Sequence, residues 1–214
     1  MVVLNPLKLT IINYPDNETE VLSTENNPED PSAGVREVPF SKHLYIEKED
    51  FKESANRKFF RLSIDKEVRL KSAYIIRAVD CIKDSQGNII EVLCEYDPKS
   101  KSGSGSVESL RKVKGTLHWV SSKECTKISV RLYDRLFMKE SPGSNQERGF
   151  LQDLNPNSLK VVEAFAEPSI SETNAGESFQ FQRKGYFIAD QDTSKHKPVF
   201  NKTVGLRDSW LKKS

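Results

Sequence analysis

The sequence has 214 residues, 36% of them hydrophobic, 9% aromatic and 30% charged, and 33 lysines and arginines against 31 aspartates and glutamates leave a net charge of +2. A chain of this length and balance can bury a core of its own, as one large β domain or two domains of about 100 residues each, and disorder throughout is excluded. Its longest apolar runs, such as Val2-Val3-Leu4 and Tyr74-Ile75-Ile76, fall far short of the ~20 residues needed to cross a bilayer.

Asn5-Pro6 interrupts the apolar N-terminal stretch and no small-residue cleavage site follows, so no secretory signal is read and a cytoplasmic location is expected. Without that signal the glycosylation sequons at Asn17-Glu18-Thr19 and Asn201-Lys202-Thr203 are discounted. Cys81, Cys94 and Cys125 are an odd number at wide spacing with no Cys-x-x-Cys pair; they read as reduced structural thiols rather than zinc ligands.

In chain order, Leu7–Ile12 alternates apolar and polar residues, the period of a half-buried strand. Tyr14 to Asp30 follows with six acids and no base. Val35–Phe40 and Leu44–Glu47 read as strands, and Lys48–Ala55 as one or two helical turns. From Lys52 to Arg77 eight bases face three acids, a segregation that steers a polyanion to this region whatever the net charge. Within it Lys66–Lys71 alternates as a strand, followed by strands Tyr74–Ile82 and Ile89–Tyr96 around a hairpin turn, Asp84-Ser85-Gln86-Gly87-Asn88. Lys99–Ser106 has no apolar residue and marks a soft boundary near Gly103, giving domains 1–103 and 104–214. Further strands are expected over Val113–Val120, Ile128–Tyr133, Leu159–Ala166, Phe179–Ala189 and Val199–Val204, with a loop over Ser141–Gly149 and a helical turn over Asn155–Lys160. The tail from Lys195 is basic. Many short strands at this spacing suggest sandwiches or barrels, and the fold class is all-β with a few short helices.

No catalytic constellation is visible. His43, His118 and His196 stand in unrelated contexts, and Gly103-x-Gly105 lacks the third glycine, preceding strand and following helix of a dinucleotide site. Nucleic-acid binding has better support. Arg69 and Lys71, two apart on a strand, share a face. Just upstream, Asn56-Arg57-Lys58-Phe59-Phe60-Arg61 mixes bases with aromatics, as suits phosphate contact together with stacking on unpaired bases. From residue types alone the plainer alternative is that Phe59 and Phe60 are core and the bases a solvated barrel edge. Tyr186-Phe187 beside Arg183-Lys184 carries the same ambiguity.

Particular words are more specific. Arg36-Glu37-Val38-Pro39-Phe40-Ser41, Lys66-Glu67-Val68-Arg69-Leu70, Arg111–Val120, Arg131–Phe137 and Pro198–Asp208 occur in this order. Together they closely resemble the C-terminal anticodon-binding region of glutaminyl-tRNA synthetase, a class I aminoacyl-tRNA synthetase, over nearly the whole chain from Val3 to about Trp210. The resemblance implies two antiparallel β-barrels, proximal and distal, that exchange terminal strands and grip the anticodon stem and loop of glutamine tRNA. It implies that Arg61 reads an anticodon base and that Arg69 and Lys71 contribute from the next strand, Lys71 without the planar fork of the arginine common there. Lys58 belongs to the same run, and Phe60 stands where a lysine is common, exchanging a phosphate contact for stacking. In Phe179-Gln180-Phe181-Gln182-Arg183 it points to Gln180 and Arg183 at the central anticodon base, with Gln182 in place of a common glutamate; Phe179 and Phe181 alternate with them as core.

The two signature motifs of class I catalysis are absent, and Phe137-Met138-Lys139-Glu140-Ser141 lacks the second lysine of one of them. The resemblance therefore implies a fragment, inactive alone and without a cofactor of its own, of an enzyme that uses ATP, glutamine and magnesium. Its expected partners are glutamine tRNA and the catalytic domain of the same enzyme, with no DNA and no membrane, and the expected state is a monomer. Signalling to the catalytic domain is expected through Arg36–Phe40 and Gly205–Asp208. The related glutamyl-tRNA synthetase is a poorer match at Pro198–Asp208. The alternative from another class is a freestanding barrel protein that binds ribosomal RNA or a protein.

Overall fold

The computed structural model describes residues 1–143 and 149–206. The basic residues Arg207, Lys212 and Lys213, the end of the Gly205–Asp208 word, Trp210 and the centre of the Ser141–Gly149 loop lie outside the described residues. The fold is all-β, in two compact units. Unit 1 comprises Met1–Thr126 with Ala164–Ile170, and unit 2 comprises Lys127–Glu163 with the chain from Ser171.

Unit 1 holds β1 (Val2–Val3), β2 (Pro6–Ile11), β3 (Thr19–Glu25), β4 (Val35–Ser41), β5 (His43–Glu47), β6 (Glu67–Leu70), β7 (Ile75–Lys83), β8 (Ile89–Tyr96), β9 (Thr116–Leu117) and β10 (Trp119–Ser121). Seven of these form a sheet in the order β10-β5-β2-β8-β7-β6-β9. Its two outer strands are joined through the single residue His118, so the chain itself nearly closes the sheet into a barrel. Most pairings are antiparallel, but β2–β8 and β6–β9 are parallel. Alternation does what the sequence predicts: Leu7, Leu9 and Ile11 of β2, Leu44 and Ile46 of β5, and Val68 and Leu70 of β6 all face the interior. Phe40 and Trp119 meet edge to face at 5.0 Å, and the indole donates to the Lys71 carbonyl at 3.0 Å.

Several segments differ from the sequence reading or add to it. Val113–Val120 is two short strands, because Leu117, His118 and Trp119 are buried in succession as the chain turns the barrel corner. Lys48–Ala55 gives only the 3₁₀ turn Lys48–Asp50, and Asn155–Lys160 gives no helix. The acidic stretch contains a strand, β3, paired along its length with β4. Finally, the serine-rich stretch is bound to the barrel rather than free: the Ser100 hydroxyl accepts from the Ile75 amide at 2.8 Å, and the Ser102 amide donates to the Ala73 carbonyl at 2.8 Å. It lies within unit 1, which ends at Thr126. The only α-helix among the described residues, α1 (Val107–Leu110), follows it with Ser106 as its cap. The hairpin turn at Asp84–Asn88 forms as read, the Asp84 carboxylate accepting from the amides of Gln86 and Asn88.

Unit 2 holds β11 (Thr126–Tyr133, apart from its first residue), β12 (Leu159–Ala166, as far as Glu163), β13 (Ser178–Phe181), β14 (Gly185–Ala189) and β15 (Val199–Val204). Their order is β12-β11-β15-β14-β13, with β11 and β15 parallel. Phe179–Ala189 is thus a hairpin rather than one strand, since the polar run Gln182-Arg183-Lys184 forms a turn. Phe181 stacks on Phe187 at 4.1 Å, and Phe179 meets Phe200 edge to face.

The last residues of β12 belong to unit 1, where Ala166 pairs with Val2. Directly after them Glu167 is buried, with Arg36 Nε at 2.5 Å and the Met1 α-amine also bonded to it. Burial works against its charge, but the Arg36 guanidinium bonded to it helps hold the carboxyl below its usual 4.5. A lowered value means stability that is complete above the unfolded-state pKa and is lost as pH falls through the folded one. Acid titration followed by circular dichroism should therefore show unfolding that begins below about pH 4.5, with a shallower pH dependence in Glu167→Gln; an identical dependence in the variant would assign the acid transition elsewhere.

Candidate nucleic-acid interface

In unit 1 the loop Lys52–Arg61 is closed at its base by an isolated bridge between Phe51 and Leu62, both buried. The Lys52 amide donates to the Leu62 carbonyl at 3.1 Å, and the Leu62 amide to the Asp50 carbonyl at 3.0 Å. At the tip, the Asn56 side chain accepts from the Lys58 amide at 3.0 Å and sets a turn. Anchored below and turned above, the loop displays Lys52, Arg57, Lys58 and Phe60 to solvent.

Phe60 is 55% exposed and so is not a core residue, whereas Phe59 is half-buried. Each ring carries an ammonium over its face: Lys52 Nζ lies 5.0 Å from the Phe59 centroid and Lys114 Nζ 5.6 Å from that of Phe60. Phe60 is one of several large apolar side chains left in water, but it stands among bases. There it suits stacking on an unpaired nucleobase.

Arg61 is half-buried, and its guanidinium stands 3.2 Å from both the Glu49 carbonyl and the carboxylate of the fully buried Asp50. That contact fixes the fork and leaves the rest of the planar group for a ligand. Arg69 and Lys71 follow on β6 and just past it, on the outward face as predicted. Lys71 has no ion-pair partner among the described residues. Arg69 is engaged: its guanidinium donates to the carbonyls of Ser100, Ser109 and Arg111 and to the Ser102 hydroxyl, at 2.9–3.3 Å. Burial, then the neighbouring Arg111, lower its pKa from the usual guanidinium value, yet the guanidinium stays charged.

Sequence reasoning missed Lys112 and Lys114. Both are exposed, and Lys114 reaches Phe60. They stand in a family-like word, but no periodicity in that word marks them as ligand-facing.

In unit 2, Gln180 is exposed on the edge strand β13, directly across from Tyr186 on β14. Tyr186 is 46% exposed and Phe187 buried, so alternation resolves that pair into one surface and one core aromatic. Gln182 and Arg183 sit half-buried in the hairpin turn, where the Lys184 amide donates to the Phe181 carbonyl at 2.8 Å. Arg183 has φ +67°, a left-handed conformation uncommon for a side chain of this kind. The hairpin thus groups Gln180, Gln182 and Arg183 with Tyr186 as neighbour: two amides and a guanidinium, a set able to pair with the Watson–Crick edge of an unstacked base.

Among the described residues no three His, Cys, Asp or Glu side chains come together to hold a metal, and no helix is long and apolar enough to cross a membrane. Two family models, each described as the anti-codon binding domain of class I (E and Q) tRNA synthetases, match residues 1–97 and 116–190. The glutamine–tRNA ligase of Rhodopirellula baltica is 51% identical over 99% of this chain, and that of Clostridium kluyveri 49% identical over 98%. The glutamine–tRNA ligase of Bradyrhizobium diazoefficiens is 45% identical over 99%. The chain spans only 35–38% of the length of these relatives. With matching models over most of its length and relatives 45–51% identical over nearly all of it, the chain belongs to the anticodon-binding domains of the class I (E and Q) tRNA synthetases.

Proposed function

We propose that this chain is the anticodon-reading part of a glutamine–tRNA ligase and that its ligand is the anticodon stem and loop of glutamine tRNA. The observation that carries the reading is the exposed Phe60 between Lys58 and Arg61, on a loop fixed at its base. Unstacked anticodon bases present free edges and π faces. An aromatic ring can hold one by stacking while Arg, Lys and Gln groups select by hydrogen bonding and the surrounding ammonium groups neutralise phosphates.

Lys58, Phe60, Arg61, Arg69 and Lys71 form the contribution of unit 1 to this reading, and Gln180, Gln182 and Arg183 that of unit 2. Ligation of glutamine, with ATP and magnesium, belongs to the catalytic part of the parent enzyme, which is the second partner. A cytoplasmic, monomeric enzyme fits the same reading.

Titrating the chain with glutamine tRNA and with its isolated anticodon stem–loop, at two salt concentrations, tests this. The stem–loop should bind nearly as tightly as the whole tRNA, and both should weaken steeply with salt because phosphate contacts release counterions. Binding of whole tRNA without the stem–loop would move the contact away from the anticodon arm.

A further inference from the structure

Glu67 and Arg69 lie on one face of β6, with Lys71 just past its end, and the first two are spent on one segment of chain. The Arg69 guanidinium donates to the Arg111 carbonyl at 3.3 Å, and the backbone amide of the same residue donates to the Gly115 carbonyl at 3.0 Å. Lys112-Val113-Lys114 is therefore tied at both ends to a single residue. Glu67 takes the guanidinium of Arg111, with Asp97 at 3.2 Å and Glu108 at 3.0 Å around it. On the far side Gly115 has φ +124°, and a Cβ there would stand 2.4 Å from the Phe60 carbonyl oxygen. Only glycine lets the tripeptide lie against the loop that carries Phe60. The outcome is an exposed ring with the Lys114 ammonium 5.6 Å from its centroid and the exposed Lys112 two residues away.

We propose that Phe60, Lys112 and Lys114 form a subsite for one unpaired nucleotide, the ring taking the base and the two ammonium groups its phosphates, and that Arg69 is a positioning residue that holds the subsite without touching RNA. The proposal rests on the RNA-binding reading above and changes the part played by Arg69 within it. The four acceptors take both terminal nitrogens of the guanidinium and leave only its Nε–H, so a base edge could claim two parallel donors only by releasing Ser100–Arg111. The Lys114 ammonium lies over one face of the Phe60 ring, so a base stacks on that face by displacing it toward the phosphate the base brings with it, or takes the opposite face with the ammonium still close by. Lysine suits that place as a strongly hydrated point charge with no directional demand.

The test uses the 214-residue chain, the anticodon stem–loop of glutamine tRNA, and four proteins: the parent, Lys112→Gln/Lys114→Gln, Arg69→Lys, and all three substitutions together. The two glutamines should weaken binding alike for every anticodon sequence and lower the salt slope by about 0.7 per lost contact to single-stranded RNA. Arg69→Lys keeps the charge and loses the fork. It should weaken binding without altering preference among anticodon bases, speed hydrogen exchange at the amides of 109–114, and add less than its own loss when placed on the glutamine background. Unchanged affinity and slope in the glutamine protein would overturn the subsite, and those exposed positions leave the test free of folding defects. A full additional loss from Arg69→Lys on that background, with changed base preference, would mean that Arg69 reads RNA directly. If the parent chain fails to bind the stem–loop, the RNA-binding reading fails and this proposal with it, whereas normal parent binding with unaffected variants removes the proposal alone.

Discussion

Glu47→Ala should destabilise the barrel of unit 1 by about 2–6 kcal/mol, the cost of leaving two amide donors without their acceptor at about 1–3 kcal/mol each. The Glu47 carboxylate is fully buried and accepts from the amides of Leu4 at 2.7 Å and Asn5 at 3.2 Å, with His118 Nε2 at 3.5 Å. It thereby joins three separate parts of the barrel: the link between β1 and β2, the end of β5, and the corner residue between β9 and β10. Truncation leaves those donors without their acceptor, at about 1–3 kcal/mol for each one that water does not reach. Glu47→Gln keeps the shape and one acceptor oxygen and should lose less. Urea unfolding followed by fluorescence reads this directly, since Trp119 is buried in the same barrel; a loss below about 1 kcal/mol would show that water replaces the carboxylate.

Arg61→Ala should cost about 1–3 kcal/mol of affinity for glutamine tRNA, roughly 5- to 150-fold, and should flatten discrimination at one anticodon position. The physical ground is a charged fork held in place by Asp50 and the Glu49 carbonyl, and therefore pre-organised. Because Asp50 is buried, the alanine variant also leaves its carboxylate without this contact, so stability must be measured alongside. Arg61→Lys separates the two effects: it keeps a cation near Asp50 but lacks bidentate geometry. The lysine variant should fold as the parent does and bind all anticodon variants with similar, reduced affinity. Parent-like discrimination in both variants would remove Arg61 from the readers.

The strands that alternate cleanly could be read residue by residue. β8, β12 and β15 have the predicted limits; β8 and β12 bury alternate residues where they pack, whereas β15 is buried only at Val199 and Phe200 and opens toward its end. Where burial departs from that pattern, the reading failed: Leu117-His118-Trp119 is buried throughout, and Gln182–Lys184 is a turn inside a long strand-like run. Low apolar content suggested a linker at Lys99–Ser106, yet what holds Ser100 and Ser102 are backbone groups of Ile75 and Ala73 and the side chain of Arg69. Carbonyls and amides have no signature in a sequence.

The same limit applies at the candidate interface. That Lys58, Phe60, Arg61, Gln180 and Arg183 could serve RNA was legible from residue type and family-like words. The exposure of Phe60 was not, since two adjacent aromatics in an irregular loop have no periodicity to divide them. The engagement of Arg69 depends on acceptors 31 to 42 residues away along the chain. Lys114 gains its significance only from its approach to Phe60 across the Gly115 contact.

The most direct measurement is equilibrium binding of the chain to glutamine tRNA and to variants with one anticodon base replaced, at two salt concentrations. Weaker binding to the variants at both salts, with a similar salt slope for all, is the predicted result: phosphate contacts are shared and base contacts are lost. Equal affinity for glutamine tRNA and every variant would contradict anticodon reading by this chain.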